Sequence, residues 1–426
     1  MTRRIFVALI ALCLFSCSKK DLSQPTDRTT DQLEEPNGKS LSPIVFSFQP
    51  DEPLTGYVVR MTVHDTIMNY APFIKAGLDE IATHGGGTLV VPYGEYQITS
   101  KMLFERHTGT YDMNIVGERN SLGEFPLFYD RDQSRVPHQF ITFLSNWVNP
   151  TMTFSVRNLR FEGNNSPYSS AHPFYGSGAE PAACLSGGNV ASGRFVNIQI
   201  SNIYGNGMEF GNGGVEGKNN RVENAEVVSC KIINCWSDNM QNTTGDGIMF
   251  WGCNNPTITN CIISNDVYTT NHYSRCGIVL ENKSEGATIR NCHIEGYQKL
   301  IHIECDYGGH RIENNYLTRA SRWGIVFVSN CDVETSGPSP NPTQIKNNTF
   351  INDQTYLEFG QDHRAFISMG KATFLDGSII LGNNFSFKEK GSNADRAKYI
   401  NTIEAYNVYI QTHGQENILI QNNTFN

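Results

Sequence analysis

Short runs of apolar residues recur along most of the chain, separated by turn-forming residues. The stretch GDGIMFWGCNNPTITNCIIS at 245–264 contains several such runs, and its second half returns as GATIRNCHI at 286–294. Within the runs, apolar and polar residues alternate with a period of two, which predicts β-strands and excludes helical repeats. The runs are too short and too closely spaced for ordinary hairpins, so the pattern indicates a repeating coil of strands.

The repeat can be aligned on a polar residue that follows an Ile-x pair or its equivalent. The aligned positions are Asn158, Asn202, Ser229, Asn260, Asn291, Asn314, Asn347, Asn383 and Asn422. The shortest step joins Asn291 to Asn314 and the longest joins Asn158 to Asn202, as in a solenoid that carries loops of different length. The sequence therefore predicts an all-β fold, a single-stranded parallel β-helix of about nine or ten coils with three short strands per coil.

Each coil is expected to begin with a Gly-Ile-x-apolar strand, as in GIMF at 247–250, GIVL at 277–280 and GIVF at 324–327. A strand such as TIT follows, then the aligned Asn at a bend, then a strand such as CII. The short Asn amide can bond the local backbone and the next coil at such a bend. The residue after it points inward, which predicts a stack of buried thiols at Cys230, Cys261 and Cys292 rather than reactive cysteines.

The start of the chain has a different pattern. Residues 1–17, MTRRIFVALIALCLFSC, combine a basic start with an apolar core that is too short to span a bilayer as a helix and is typical of a secretion signal. The run ends in Leu14-Phe15-Ser16-Cys17, which resembles a bacterial lipobox, so Cys17 is the expected lipidation site. Residues 18–45 are polar and predict a flexible tether. We therefore expect an exported lipoprotein, attached to the periplasmic face or the cell surface through its lipid anchor only.

Composition argues against two other classes of protein. The net charge is −9 and no basic run follows Lys19-Lys20, which argues against a nucleic-acid partner. The cysteines beyond Cys17 form neither a close CxxC pair nor a clustered Cys/His set, so their spacing does not predict a zinc site. Residues 46–426 are then assigned to the solenoid as one domain.

Residues 65–98 carry a more specific pattern. They contain Asp65-Thr66, an amphipathic helix at about 70–82, Gly-Gly-Gly-Thr at 85–88 and Pro-Tyr-Gly-Glu-Tyr at 92–96. This order resembles the N-terminal cap of the pectate lyase-like superfamily, and with the coils the resemblance covers roughly residues 60–426. It implies a right-handed β-helix with an N-terminal capping helix, the cap lying at about 60–100. It also implies that a carbohydrate-active member works on the outer face of the first strand, although fold alone does not fix function.

Aligning the first strands column by column places a cluster of polar residues on that outer face. Neighbouring coils lie ~4.8 Å apart, so Glu281 and Glu304 should be stacked neighbours, with His302 on the same face and Arg275 at its edge. Stacked carboxylates raise a pKa or recruit a cation, which makes these four residues, together with Asp246 in the GDGI turn, the candidate catalytic group. The candidate substrate-binding residues are Trp251, His272, Lys299, Arg322 and Trp323, of which the tryptophans offer flat surfaces for sugar rings.

These residues favour an enzyme acting on a polysaccharide or oligosaccharide, with two chemistries open. In a lyase on a uronate-containing glycan, Glu281 and Glu304 would hold a Ca²⁺ ion, which takes oxygen ligands, and Arg275 or Lys299 would take the proton from C5. In a retaining glycoside hydrolase the two carboxyl groups would act as acid and nucleophile at ~5–5.5 Å. The flanking basic residues favour the lyase.

A non-catalytic glycan-binding or surface-structural lipoprotein is the alternative from a different class. The Gly-His-Gly and Arg-Ile-Lys motifs of polygalacturonase-like hydrolases are absent from the chain, and so is the Asp-Pro-His-Asp motif of alginate epimerases. The sequence therefore predicts a fold and a surface for carbohydrate chemistry without identifying an enzyme family.

Overall fold

The computed structural model describes residues 44, 46–62, 69–130, 140–145, 151–163, 183–211, 221–237, 245–265, 275–320, 323–328, 341–352, 365–370, 375–387, 410–412 and 417–425. These residues belong to one compact unit, Pro43–Asn426. Cys17, most of the predicted tether, Asp65-Thr66, His272 and Arg322 lie outside the described residues. Among the helices in these ranges, none has the length and apolar character needed to cross a membrane.

Three long sheets make up almost all of this unit, and each coil contributes one strand to each sheet in the order S1, S2, S3. Sheet S1 has ten strands: Met102–Glu105, Ile141–Leu144, Leu185–Gly188, Met208–Gly211, Ile248–Trp251, Cys276–Glu281, Lys299–Glu304, Trp323–Val328, Ala365–Met369 and Ile410–Thr412. Sheet S2 has twelve: Tyr57–Arg60, Gly86–Val91, Tyr111–Gly117, Met152–Arg157, Ser192–Val196, Glu226–Val228, Thr257–Thr259, Thr288–Arg290, Arg311–Glu313, Gln344–Lys346, Ile379–Leu381 and Leu419–Gln421. Sheet S3 has eleven: Glu95–Gln97, Leu127–Asp130, Arg160–Gly163, Gln199–Tyr204, Lys231–Trp236, Ile262–Ser264, His293–Glu295, Tyr316–Thr318, Thr349–Asn352, Asn384–Phe387 and Thr424–Phe425. A two-stranded sheet joins Val222–Glu223 to Cys253–Asn254.

The pairing is parallel throughout these sheets, and each strand pairs with its equivalent in the next coil. The fold is therefore the predicted right-handed parallel β-helix, and the ten strands of S1 correspond to ten coils with all three strands. One helix, Ala71–Thr83, packs its apolar face, including Ile74, Leu78 and Ile81, against the first coils. This helix closes the hydrophobic core at the N-terminal end, as the sequence predicts for the cap.

The core consists of stacked inward columns of aliphatic and aromatic side chains. In S1 the inward column of the middle coils contains Ile248, Ile278, Ile301 and Ile325, all fully buried. The thiols of Cys230, Cys261 and Cys292 stack in another inward column beside the S2–S3 corner, as predicted. Burial raises the pKa of the Cys261 and Cys292 thiols well above the ordinary value. Such thiols fill space and are poor nucleophiles.

The S2–S3 corner is the bend at which the aligned residues lie. Asn260 and Asn291 adopt φ values of 57° and 54°, a left-handed conformation that Asn tolerates better than most residues. Two aligned positions were wrong. Asn202 lies within the S3 strand Gln199–Tyr204, and the corner of that coil is Asn197; in the later coil the corner is Gly382, and Asn383 follows it.

A ladder of buried amides continues the thiol column towards the C-terminus. Asn315 donates from its backbone and its side-chain amide to Oδ1 of Asn348, both at 2.9 Å. Asn348 bonds Asn383 in the same way at 2.9 and 3.0 Å, and Asn383 bonds Asn423 at 2.8 and 3.0 Å. In these C-terminal coils the described amide ladder therefore lies one residue after the corner, because the inward side chain there can reach both neighbouring coils.

Residues 46–52 form a strap that runs along the outside of the S2–S3 corner. Its groups bond the corner side chains of successive coils: Asp51 Oδ1 accepts from Asn158 at 2.8 Å, Gln49 O accepts from Asn197 at 3.0 Å, and Ser47 O accepts from Asn260 at 2.8 Å. The strap therefore runs from the middle of the solenoid back towards its N-terminal end. In a three-sided coil this corner lies opposite S1, so the chain joins the solenoid on the side away from that sheet.

Candidate active site

The outer face of S1 brings the predicted carboxylates together. Glu281 pairs directly with Glu304 in the next coil, and Trp251 precedes Glu281 in the same column. His302 lies two residues before Glu304, so both side chains point outward from one strand. This register is the one that the Gly-Ile-x-apolar alignment predicts.

Glu281, His302 and Glu304 form a close group, called here the carboxylate–histidine cluster. Nε2 of His302 lies 2.8 Å from Glu304 Oε2 and 3.4 Å from Glu281 Oε1. One ligand atom of each residue lies within 4.8 Å of the others. Glu281 and His302 are buried, at 6% and 1% exposure, whereas the Glu304 side chain keeps 27%. The carboxylate that a ligand can reach most readily is therefore that of Glu304.

Lys299 fixes the protonation pattern of this cluster. Its Nζ lies 3.0 Å from Nδ1 of His302, and an ammonium group can only donate there. Nδ1 then accepts, so the imidazole proton is on Nε2 and is donated to Glu304. This hydrogen bond from His302 is the main cause that lowers the pKa of Glu304, against a smaller opposing effect of burial. Glu304 is thus held as an ionised carboxylate.

Arg275 and Asp246 form a buried ion pair behind the cluster. Arg275 donates to the Asp246 carboxylate from Nε at 3.0 Å and from Nη2 at 2.6 Å, and the Cys276 amide donates to the same carboxylate at 2.9 Å. Burial is the largest single effect and by itself would lower the pKa of Arg275, but the charges of Asp246, Cys276 and Glu281 together with the hydrogen bond to Asp246 outweigh it and raise that pKa. Arg275 is therefore unsuited to act as a proton acceptor, although its Nη2 lies 3.7 Å from Glu281. Both Asp246 oxygens are engaged, which favours a supporting role over the predicted catalytic one.

The predicted binding residues border the cluster on both sides. Trp251 is partly exposed and packs on Met249 and Val279, one coil before Glu281. Trp323 is also partly exposed and pairs with Lys299, whose Nζ lies 5.9 Å from the indole ring. The two tryptophans therefore lie on opposite sides of the carboxylates along the solenoid axis. His272 and Arg322 lie outside the described residues, and their roles stay predictions.

Glu209 is a further acidic residue on this face, and it is not among the site residues predicted from the sequence. It lies in the same outward column as Met249, Val279 and His302. Desolvation is the main cause that raises its pKa, and the charges of Asp246 and Glu281 add to the effect, while a hydrogen bond from Asn206 opposes it. Glu209 pairs with Ser186 and Met249 in the neighbouring coils, so the sequence offers no stacked carboxylate beside it, which is the signal that marks Glu281 and Glu304.

The carboxylate–histidine cluster fits a metal ion poorly. A set of two carboxylates and one imidazole is typical of transition metals, whereas Ca²⁺ takes six to eight oxygen ligands. A ligating His normally donates its second ring N–H to an acceptor, but the second ring nitrogen of His302 faces the Lys299 ammonium. These contacts argue against the calcium site, which stays a prediction.

Comparison with known proteins supports the fold. No protein-family model and no curated protein matches the chain. Among solved structures, the chain is similar to right-handed β-helix proteins. DFA-IIIase from Arthrobacter chlorophenolicus A6 without its lid, in complex with GF2, is 12% identical with a TM-score of 0.51 over 85% of both chains. A mutant of the same enzyme in complex with DFA-III is 12% identical, with a TM-score of 0.51 over 77% of this chain and 76% of that one. PfbA, a surface adhesin of Streptococcus pneumoniae, is 13% identical, with a TM-score of 0.49 over 79% of this chain and 82% of that one. At such identities the likeness to the two DFA-IIIase structures establishes a shared fold only.

Proposed function

We propose that the protein is an extracytoplasmic polysaccharide-active enzyme, a glycoside hydrolase of the retaining type with Glu304 as nucleophile and Glu281 as acid. The observation that carries the proposal is the pair of adjacent carboxylates on S1, of which Glu304 is held ionised by His302. One carboxylate oxygen of each lies within 4.8 Å of the other, so the two groups approach at least as closely as the ~5–5.5 Å separation typical of retaining enzymes requires. Trp251 and Trp323 would hold sugar rings on either side.

A lyase acting on a uronate-containing glycan is the second candidate, because Lys299 lies beside the carboxylates. Two observations favour the hydrolase over the lyase. Arg275 is tied to Asp246 and is unsuited to be the base. The Lys299 ammonium is engaged with His302, so it would have to leave that contact and lose a proton before it could act. Membership of the pectate lyase-like superfamily would suit either chemistry.

A glycan panel assayed for two products tests this proposal. The panel contains fructans, glucans, xylans, and uronate-containing pectins and alginates, each with and without a chelator. A retaining hydrolase releases reducing ends without unsaturated uronate, is insensitive to chelator, and gives a first product of unchanged anomeric configuration by NMR. Release of unsaturated uronate would contradict the hydrolase and support the lyase. If a chelator then abolished that product, the calcium site would be supported as well. Retention on a glycan without either product would leave a binding protein.

Attachment through Cys17 is proposed on the lipobox alone. Cys17→Ser should release the protein from the membrane fraction or stall its processing, because a lipoprotein anchor with several acyl chains binds stably where one chain binds marginally. Fractionation with labelled lipid measures this, and Ser16→Ala, which keeps the cysteine, is the matched control. Unchanged labelling of the Cys17→Ser protein would contradict the anchor.

A further inference from the structure

A gap in the side chains of S1 lies two coils from the carboxylate–histidine cluster. The outward column that contains Glu281 continues towards the N-terminus as Trp251, Gly211, Gly188 and Leu144. Two successive coils therefore present no side chain between Trp251 and Leu144. This glycine notch, defined by Gly188 and Gly211, spans two coils ~4.8 Å apart, and among the described residues both glycines are partly exposed on the outer face of the sheet.

The backbone does not require these glycines. Neither Gly188 nor Gly211 is among the glycines with positive φ. A Cβ on Gly211 would meet Trp251 Cβ at 3.6 Å and Glu209 Oε1 at 3.7 Å, which is ordinary contact. A Cβ on Gly188 would lie 2.9 Å from Cδ1 of Leu144, so this flexible side chain already occupies part of the space over Gly188 and would have to shift. Glycine weakens a strand and often marks a site where a ligand approaches the backbone closely. The two glycines are therefore explained by the space they leave above the sheet and not by the backbone conformation.

The column beside the notch is polar. Ser186 and Glu209 pair with each other in neighbouring coils, and the Ser186 hydroxyl donates to Thr142 at 2.9 Å. One oxygen of Glu209 accepts a long bond from Asn206 at 3.5 Å, while the other lies near Gly211. Burial raises the pKa of Glu209, and the nearby charges of Asp246 and Glu281 act in the same direction. A raised pKa favours the protonated form, in which the carboxyl group can donate a hydrogen bond into the notch.

We propose that the glycine notch is a binding subsite for an uncharged sugar ring, bordered by Trp251 and hydrogen-bonded by Glu209. A sugar ring is roughly as long as one coil spacing, so the notch holds one or two units of a chain whose cleaved bond lies at Glu281 and Glu304. The flat backbone of the two glycines lets the ring lie against the sheet, and the hydroxyls of Ser186 and Thr142 lie along its edge. This inference rests on the proposed function, because it extends the same substrate along S1.

Filling the notch tests the subsite. Gly211→Leu should raise KM about tenfold or more for five-unit oligosaccharides of the glycan turned over in the panel, with kcat unchanged. Gly211→Ala is the graded comparison: its lone Cβ makes only ordinary contacts there, so it should raise KM much less than Gly211→Leu does. Binding of the same five-unit probe to Glu304→Gln protein, measured by calorimetry with and without Gly211→Leu, gives a readout that does not depend on turnover.

Glu209→Gln separates hydrogen bonding from packing. In the wild type the affinity should fall as pH rises through the raised pKa of Glu209, because the ionised carboxylate can no longer donate. The amide of the Glu209→Gln variant would keep a donor at every pH, so its affinity should be independent of pH in that range. Turnover with an unchanged KM for Gly211→Leu would overturn the subsite and leave the proposed function standing. Absence of both binding and turnover of every probe would overturn the proposed function and the subsite with it.

Discussion

Glu304→Gln and Glu281→Gln are each expected to reduce kcat by at least about 10³-fold on the glycan identified by the panel, with the melting temperature kept at the wild-type value. An amide at position 304 can still accept the hydrogen bond from His302, so the local structure is kept. It cannot attack as an anion, however, and the low pKa that His302 gives to Glu304 is of no use to an amide. At position 281 the amide cannot deliver a proton to the leaving oxygen. The loss should therefore appear in kcat rather than in folding.

Glu295→Gln is the matched control for this pair. Glu295 also has a histidine beside it, with His293 Nε2 at 3.5 Å, and Arg319 at 3.7 Å, but it lies on S3. Burial is the largest single effect and by itself would raise the pKa of Glu295, but the interactions with His293 and Arg319 together lower it. Glu295→Gln should leave kcat unchanged, because Glu295 has an electrostatic setting similar to that of Glu304 but lies on S3 and not on S1. Full activity in both Glu304→Gln and Glu281→Gln would remove the carboxylates from the chemistry and favour the binding protein.

The sequence predicted the register of S1 because the strand repeat leaves few alternatives. A Gly-Ile frame with a period of two places each side chain on a definite face, and a one-residue slip would turn Ile278 outward and Val279 inward. Once equivalent strands are stacked, the pairing of Glu281 with Glu304 follows without further information. The cap helix and the buried thiols follow in the same way, since both depend on local patterns and on the parallel stacking of coils.

Contacts between distant segments could not be predicted from these patterns. The strap has no periodic pattern of its own. Its Ser47 carbonyl oxygen accepts a hydrogen bond from Asn260, which lies 213 residues further along the chain. The corner at Asn197 was missed because Asn202 follows an Ile-Ser pair that imitates the repeat. The protonation pattern of the cluster depends on Lys299 reaching Nδ1 of His302, a matter of side-chain conformation that spacing does not fix.

Asp246 shows how the same limit affects a functional prediction. The alignment of the S1 strands predicted that Asp246 is a catalytic carboxylate beside the cluster. Its side chain is instead fully buried and pairs with the Arg275 side chain, which keeps 15% exposure. Asp246→Asn is therefore expected to lower the free energy of unfolding by about 3 kcal/mol, since it removes the close partner of a buried charge and leaves Arg275 only the longer contact with Glu281 at 3.7 Å. Asn can still accept from the Cys276 amide, so the change tests the charge and not the turn. Denaturant unfolding measures it.

Two further variants distinguish a structural role of Asp246 from a catalytic one. Glu226→Gln breaks an ion pair with Arg194 of the same 2.6 Å length, but with both side chains more than a third exposed, so it should cost less than about 1 kcal/mol. Adding Arg275→Met to Asp246→Asn should recover most of the lost stability, because the uncompensated charge is gone. If Asp246→Asn instead keeps wild-type stability and abolishes turnover, Asp246 takes part in the chemistry, and Arg275 positions it there.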